Sequence, residues 1–180
     1  MVICVEAHRR HDWLLHAVEQ RLREELAVLD VTLNEEKSRK VDLARGATFS
    51  CLGFDCRRVK SRRGAWRPWY TPTRKKRTAL LRKLQEIFQR HESQPADRVI
   101  DLINPVLRGW MRYFAVGDSH RCFGFIKDWV EKKVRRHLMR ARNRKGFGWK
   151  RWSRRWLYDT LRLFNNYRGS RPQPKALPAR

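Results

Sequence analysis

Trp149, Trp152 and Trp156 alternate with Lys150, Arg151, Arg154 and Arg155 late in the sequence. These two residue types do complementary chemistry. A guanidinium forks onto phosphate oxygens, and an indole offers a flat π-face on which a base stacks. A related pairing occurs in "INPVLRGWMRYF", residues 103–114, where Arg108, Arg112 and Tyr113 flank Ile103, Val106, Leu107, Trp110 and Phe114. Helical spacing puts the apolar set on one face. The flanking residues then stand at the rim of a packed face, within reach of an anionic ligand. Tryptophan also closes helical cores, and Trp156, followed by Leu157 and Leu161 at core spacing, reads that way. Trp149 and Trp152 stay open between packing and stacking on bases.

Cations of the same kind extend along the chain. Arg57, Arg58, Arg62, Arg63 and Arg67 surround a predicted hairpin. Arg74, Lys75, Lys76 and Arg77 open a predicted helix, where positive charge opposes the macrodipole. Accepting that cost implies that they face something anionic. Lys132, Lys133, Arg135, Arg136, Arg140, Arg142, Arg144 and Lys145 continue the basic surface. Most of these contacts are expected on phosphate, where they carry affinity rather than sequence specificity.

Other chemistry is poorly supported. Cys4, Cys51, Cys56 and Cys122 are scattered without a C-x2-C pair, and the histidines from His8 to His16 lack a partner pair at zinc spacing. No metal ligands are assigned. Glu24-Glu25 and Glu35-Glu36 fall on a helix and in a turn and read as exposed acids, and no Asp-Asp pair occurs.

The 180 residues carry 43 Lys+Arg against 18 Asp+Glu, a net charge of +25. Self-repulsion of that size points to a polyanionic partner. Eight tryptophans and a hydrophobic fraction of 41% argue for a folded chain rather than a basic tail. No apolar run approaches the roughly 20 residues of a membrane span, and the start "MVICVEAHRR" lacks the parts of a signal peptide. A cytoplasmic protein with no membrane partner is expected. The charge is split. Residues 1–56 hold 8 basic and 10 acidic groups, whereas residues 57–180 hold 35 and 8. The first third is an ordinary α/β piece, and the polycation starts at Arg57.

The elements follow from periodicity and punctuation. "VICV", residues 2–5, reads as a buried strand. Trp13, Leu14, Ala17, Val18, Leu22, Leu26 and Leu29 give a helix over about residues 12–29. "SRKVDL" and "TFSCLGF" read as strands, and "RRVKSRRGAWRPWY" as a hairpin turning at 61–64, with Pro68 on an edge strand. From Thr71 three amphipathic helices follow. The first is started by "TPT" and striped with Leu80, Leu84, Ile87 and Phe88. The second starts at 93–97 and carries Pro105, which should kink it. The third, after Gly117-Asp118-Ser119, is striped with Phe123, Ile126, Trp129, Val130, Val134, Leu138 and Ala141. Short loops between them predict a bundle. Ser153 caps a short helix running to about Phe164, and the basic, proline-rich end reads as disordered. The expected class is α+β: a small partial sheet with one helix, then a three-helix bundle.

"INPVLRGWMRYF", "FIKDWVEKKVRRHLMR" and "GWKRWS" together resemble the maturase-specific region, or thumb, of group II intron reverse transcriptases. "VTLNEEKSR" resembles the block that ends that family's palm. "TFSCLGFD" resembles its primer grip, with Cys51 in place of an aromatic and Leu52, Gly53 and Phe54 at the grip positions. The similarity runs from about Met1 to Gly169. It implies the end of a palm over residues 1–60, a connecting hairpin over 61–72, an intron-RNA-binding helical domain over 73–168, and a tail over 169–180.

The resemblance implies structured group II intron RNA as partner, with RNA/DNA duplex as a further one, in support of splicing and mobility. The family's polymerase centre needs clustered aspartates that hold Mg²⁺, from an earlier strand and a Y-A-D-D turn. This sequence begins after the place of that turn, so no cofactor is expected here. DNA synthesis would need a separate N-terminal fingers and palm fragment. The family lysine matched by Lys37 lies near nucleotide phosphates, so Lys37 is assigned a phosphate contact and no catalytic role. A bacterial host is expected from the family alone. The remaining alternative is a basic protein that binds nucleic acid without an intron target.

Overall fold

The computed structural model describes residues 2–5, 9–36 and 38–169. Lys37 and residues 170–180 of the expected tail lie outside the described residues. The fold is α+β, as expected: one three-stranded antiparallel sheet and five α-helices among the described residues.

The first helix, α1 (Asp12–Val28), forms where its apolar spacing places it, after a short 3-10 turn at Arg9–His11. Its stripe is only half covered. Leu14, Ala17, Val18, Leu22 and Leu26 are partly buried, whereas Trp13 is 65% exposed and no residue of α1 is fully buried. Two expected strands are absent. Residues 2–5 pair with nothing in the sheet, and Val2 and Ile3 remain about half exposed. Residues 38–43 form no strand either. Asp42 turns the chain by accepting the Ala44 amide at 2.8 Å, and ion pairs Arg23–Glu35 and Lys40–Glu19 tie this segment back to α1. Local side-chain bonding won over β propensity there.

The sheet is a meander of β1 (Phe49–Cys51), β2 (Phe54–Lys60) and β3 (Trp66–Pro72), in that order. The hairpin predicted around 61–64 is present, with Lys60 opposite Trp66. Pro68 stands on β3, an edge strand, where a missing amide costs least. The β1–β2 turn has only two residues, Leu52 and Gly53, both with positive φ (50° and 83°). A two-residue hairpin of this twist requires that conformation at both positions. Glycine meets it freely, and leucine does so under strain.

Three long helices make the core: α2 (Arg74–Arg90), α3 (Ala96–Tyr113) and α4 (His120–Arg140). The cap of α2 is Thr73, whose hydroxyl accepts the Lys76 amide; Pro72 precedes the cap and closes β3, so the start lies two residues beyond the expected Thr71. Leu80, Leu84 and Phe88 of α2 pack with Val99, Ile100, Ile103, Leu107 and Met111 of α3 and with Phe123, Ile126, Val130 and Val134 of α4. Most of the predicted stripes are core. Ala141 is exposed, and Trp129 and Leu138 are half-buried.

The last helix, α5 (Arg154–Asp159), is capped by Ser153 as expected, its hydroxyl accepting the Trp156 amide. It stops five residues short of Phe164. Arg162 takes a φ of 54°, and the chain runs on extended, held by one side chain of α3. Asn104 donates to the Arg162 carbonyl at 2.9 Å and accepts the Phe164 amide at 2.8 Å. This amide clamp seats Leu163, 3% exposed, in the core.

Candidate nucleic-acid interface

Cations cluster on three surfaces. On the β2–β3 hairpin, guanidinium groups lie on indoles: Arg58 over Trp66 at 4.7 Å, Arg67 over Trp69 at 4.8 Å and Arg57 over Trp69 at 5.9 Å. Facing register produces this, since Arg57 is opposite Trp69 and Arg58 is two pairs from Trp66. Stacking leaves guanidinium edges able to donate to an anion while their flat faces are occupied. Arg62 and Arg63 stand exposed at the tip.

The second surface is the outer face of α2. Arg74, Lys75, Thr78, Arg82 and Lys83, with Glu86, line a groove of about 760 Å³. Arg82 and Lys83 were not among the expected site residues. Their signal was legible, since they continue Arg74 and Lys75 at i+8 on the polar side of the helix. Lys76 points elsewhere: its aliphatic stem packs against Gly53, where an added Cβ would meet Lys76 Cγ at 3.2 Å and Phe114 Cζ at 3.4 Å.

The third surface runs along α4 into the following loop. Lys132, Arg136, Arg140, Arg142, Arg144, Lys145, Lys150 and Arg151 are exposed. Burial, with Arg136 and Arg140 nearby, holds the Lys133 ammonium below its ordinary value of 10.5. Cations that depress one another's protonation gain most from an arriving polyanion. Arg108 and Arg112 are exposed on α3, as expected.

Several expected contact residues have other work. Arg135 is 1% exposed: it pairs with Glu131 at 3.2 Å and donates to the Trp152 carbonyl at 3.0 Å. Trp152 is itself 5% exposed, in the core. Neither presents a surface to RNA, because the inward side of α4 is wider than the apolar stripe alone. Arg67, Arg140, Arg154 and Arg155 are partnered by Asp118, Glu92, Asp128 with Glu131, and Asp159. Arg57, Arg58, Arg62, Arg63, Arg74, Lys75, Arg108, Arg112, Lys132, Arg136, Arg142, Arg144, Lys145, Lys150 and Arg151 make no ion pair among the described residues.

Tyr113 is 54% exposed, yet its hydroxyl is engaged. Its hydroxyl donates to the Leu52 carbonyl at 2.9 Å, and its ring lies beside Phe54 and Phe114. The Thr73 amide donates to the Gly53 carbonyl at 2.8 Å. The Leu52-Gly53-Phe54 turn is therefore docked on the helices, with the Leu52 side chain left 77% exposed at its apex.

Glu131 organises the far end of the bundle and was not foreseen. It is fully buried and accepts from Arg135, from Arg154 Nε at 2.9 Å and from the Tyr158 hydroxyl at 2.7 Å. Burial alone would raise its pKa, but these three donors outweigh it and hold the carboxyl below its ordinary 4.5. Burial and the bond to Glu131 push the Tyr158 phenol up, so it stays a donor. The available signal was an acid at i with an arginine at i+4, beside an apolar stripe and within a stretch poor in acids.

Among the described residues, no three His, Cys, Asp or Glu side chains come close enough to hold a metal ion. No helix of the described residues is long and apolar enough to cross a membrane. No curated protein matches the chain. A family model does: the group II intron, maturase-specific domain matches residues 77–157. That span takes in nearly all of α2, the whole of α3 and α4, and α5 as far as Leu157. The sequence blocks at 103–114, 125–140 and 148–153 all fall inside it, so over this stretch the chain is similar to a group II intron maturase-specific domain.

Proposed function

We propose that the chain binds structured group II intron RNA through the cations of α2, α4 and the β2–β3 hairpin, in support of splicing and mobility, and contributes no polymerase centre of its own. The observation that carries this reading is the maturase-specific match over 77–157, a stretch that holds nine of the fifteen exposed cations named above as making no ion pair. In this reading residues 73–168 are the RNA-binding unit, residues 61–72 complete the connecting hairpin, and residues 1–60 are the end of a palm. Phosphate contacts supply affinity, and the shape of the folded RNA supplies selectivity.

Binding to a folded group II intron RNA at about 0.15 M salt, with excess unrelated duplex present, tests this. Retention of intron RNA against the competitor is expected. Complete displacement by any polyanion, with a steep dependence of affinity on salt, would leave only a general basic nucleic-acid binder.

A second reading is DNA synthesis on an RNA template together with a separate fingers and palm chain that brings the aspartates and Mg²⁺. The half-covered stripe of α1, with Trp13, Val2 and Ile3 exposed, favours it, since a larger palm would cover those residues. Primer extension that appears only when such a chain is added is its test.

A further inference from the structure

Beside Trp149 lies a cavity of about 470 Å³, lined by Met139, Gly148, Trp149 and the cations Arg142, Arg144, Lys150 and Arg151. We propose that it binds one unpaired nucleobase of a structured RNA, stacked on Trp149, with the four cations on the flanking phosphates. The site deepens the RNA-binding reading and rests on it.

The indole is a prepared platform. It is 50% exposed, and the Arg135 guanidinium lies over its ring, 4.2 Å from the centroid. Arg135 is itself fixed by Glu131 and the Trp152 carbonyl. The loop that presents Trp149 is equally constrained. Gly148 has a φ of 61°, and a Cβ there would meet the Trp152 ring at 2.5 Å. A platform held this firmly loses little freedom when a ligand arrives.

The composition selects the ligand. No acid lines the cavity, so an anionic flank is welcome. Its volume falls in the range of about 300–1,000 Å³ that small-ligand pockets occupy. A duplex hides its base faces in its own stack, so an exposed π-face gains nothing from it; an unstacked base offers a face. The α2 groove makes the contrast, since it has cations and Glu86 but no aromatic residue, as suits a backbone contact.

The test uses the full chain and two RNA probes with equal numbers of phosphates. One is a hairpin with 2-aminopurine unpaired in its loop; the other is a duplex with the same base paired. Stacking on Trp149 should quench the loop fluorophore on binding. Trp149→Ala should lose that quenching and bind the loop probe about tenfold more weakly, with duplex affinity unchanged. Trp149→Phe should restore most of both, which separates stacking from any loss of fold seen in the melting curve. Equal weakening on both probes, or unchanged quenching in Trp149→Ala, overturns the base site while leaving RNA binding intact. Failure of the unsubstituted chain to bind either probe overturns the RNA-binding reading and this site with it.

Discussion

A carboxylate in a strongly basic chain is informative where it is kept dry. Glu131 is the charge on which Arg135, Arg154 and Tyr158 converge, and Arg135 is as buried as Glu131 is. Replacing Glu131 with Ala should cost roughly 3–5 kcal/mol in urea unfolding, chiefly because Arg135 then keeps a buried charge without a partner. The pH dependence has a definite sign. A carboxyl held below its ordinary value stabilises the fold at higher pH, and that stabilisation fades as pH falls from about 4.5 through the depressed value. Melting temperature should drop over that window in the native chain and much less in Glu131→Gln. Tyr113→Phe should cost about 1 kcal/mol by removing the bond to the Leu52 carbonyl. Its amide-exchange signature should be faster exchange in β1 and β2, with α4 unchanged. Residue types alone suggested arginine and tyrosine at an RNA surface. For Arg135 that was incomplete, because a side chain at the rim of a helix face turns either way, and the Trp152 carbonyl to which it donates lies 17 positions away.

At the scale of elements, periodicity carried the helices. The bounds of α2 to α4 and most of their stripes were legible because each buries one face against neighbours of the same kind, and α1 shows the same spacing although its stripe is only half covered. Strands were less so. "VICV" has strand composition, yet a strand exists only when an edge is there to pair with it. The β2–β3 hairpin was legible because Gly64 and Pro68 mark its turn and its edge. Its function is testable by charge removal. Replacing Arg57, Arg58, Arg62 and Arg63 with Ala should reduce the slope of log affinity against log salt by about 0.7–0.9 for each phosphate that is no longer neutralised. An unchanged slope would show that the hairpin stands away from the RNA. Leu107, wholly buried on α3, reports the bundle itself: Leu107→Ala should cost about 2–5 kcal/mol, read from denaturant midpoints.

For the whole molecule, charge and packing divide the chain at nearly the same place. Residues 1–56 are close to neutral and, among the described residues, hold one buried side chain, Cys56; the polycation contains the rest of the core. Limited proteolysis should therefore cut within 30–48 first and leave a resistant fragment of about residues 71–165. Digestion of the helices first would contradict this. Charge gave the class of partner from composition alone. The base pocket stayed hidden, because a loop, a buried ion pair and the end of α4 must meet before it exists. The Asn104 clamp carries a consequence in time. Its two partners lie 58 and 60 residues downstream, so α3 is synthesised well before residues 162 and 164 are made. At about 5–20 residues per second, that interval is roughly 3–12 s. For those seconds the part of the core that Leu163 fills stays open beside dense positive charge. RNA that engages the cations so early would act as an escort, holding the half-made bundle apart from its neighbours until its last strap closes.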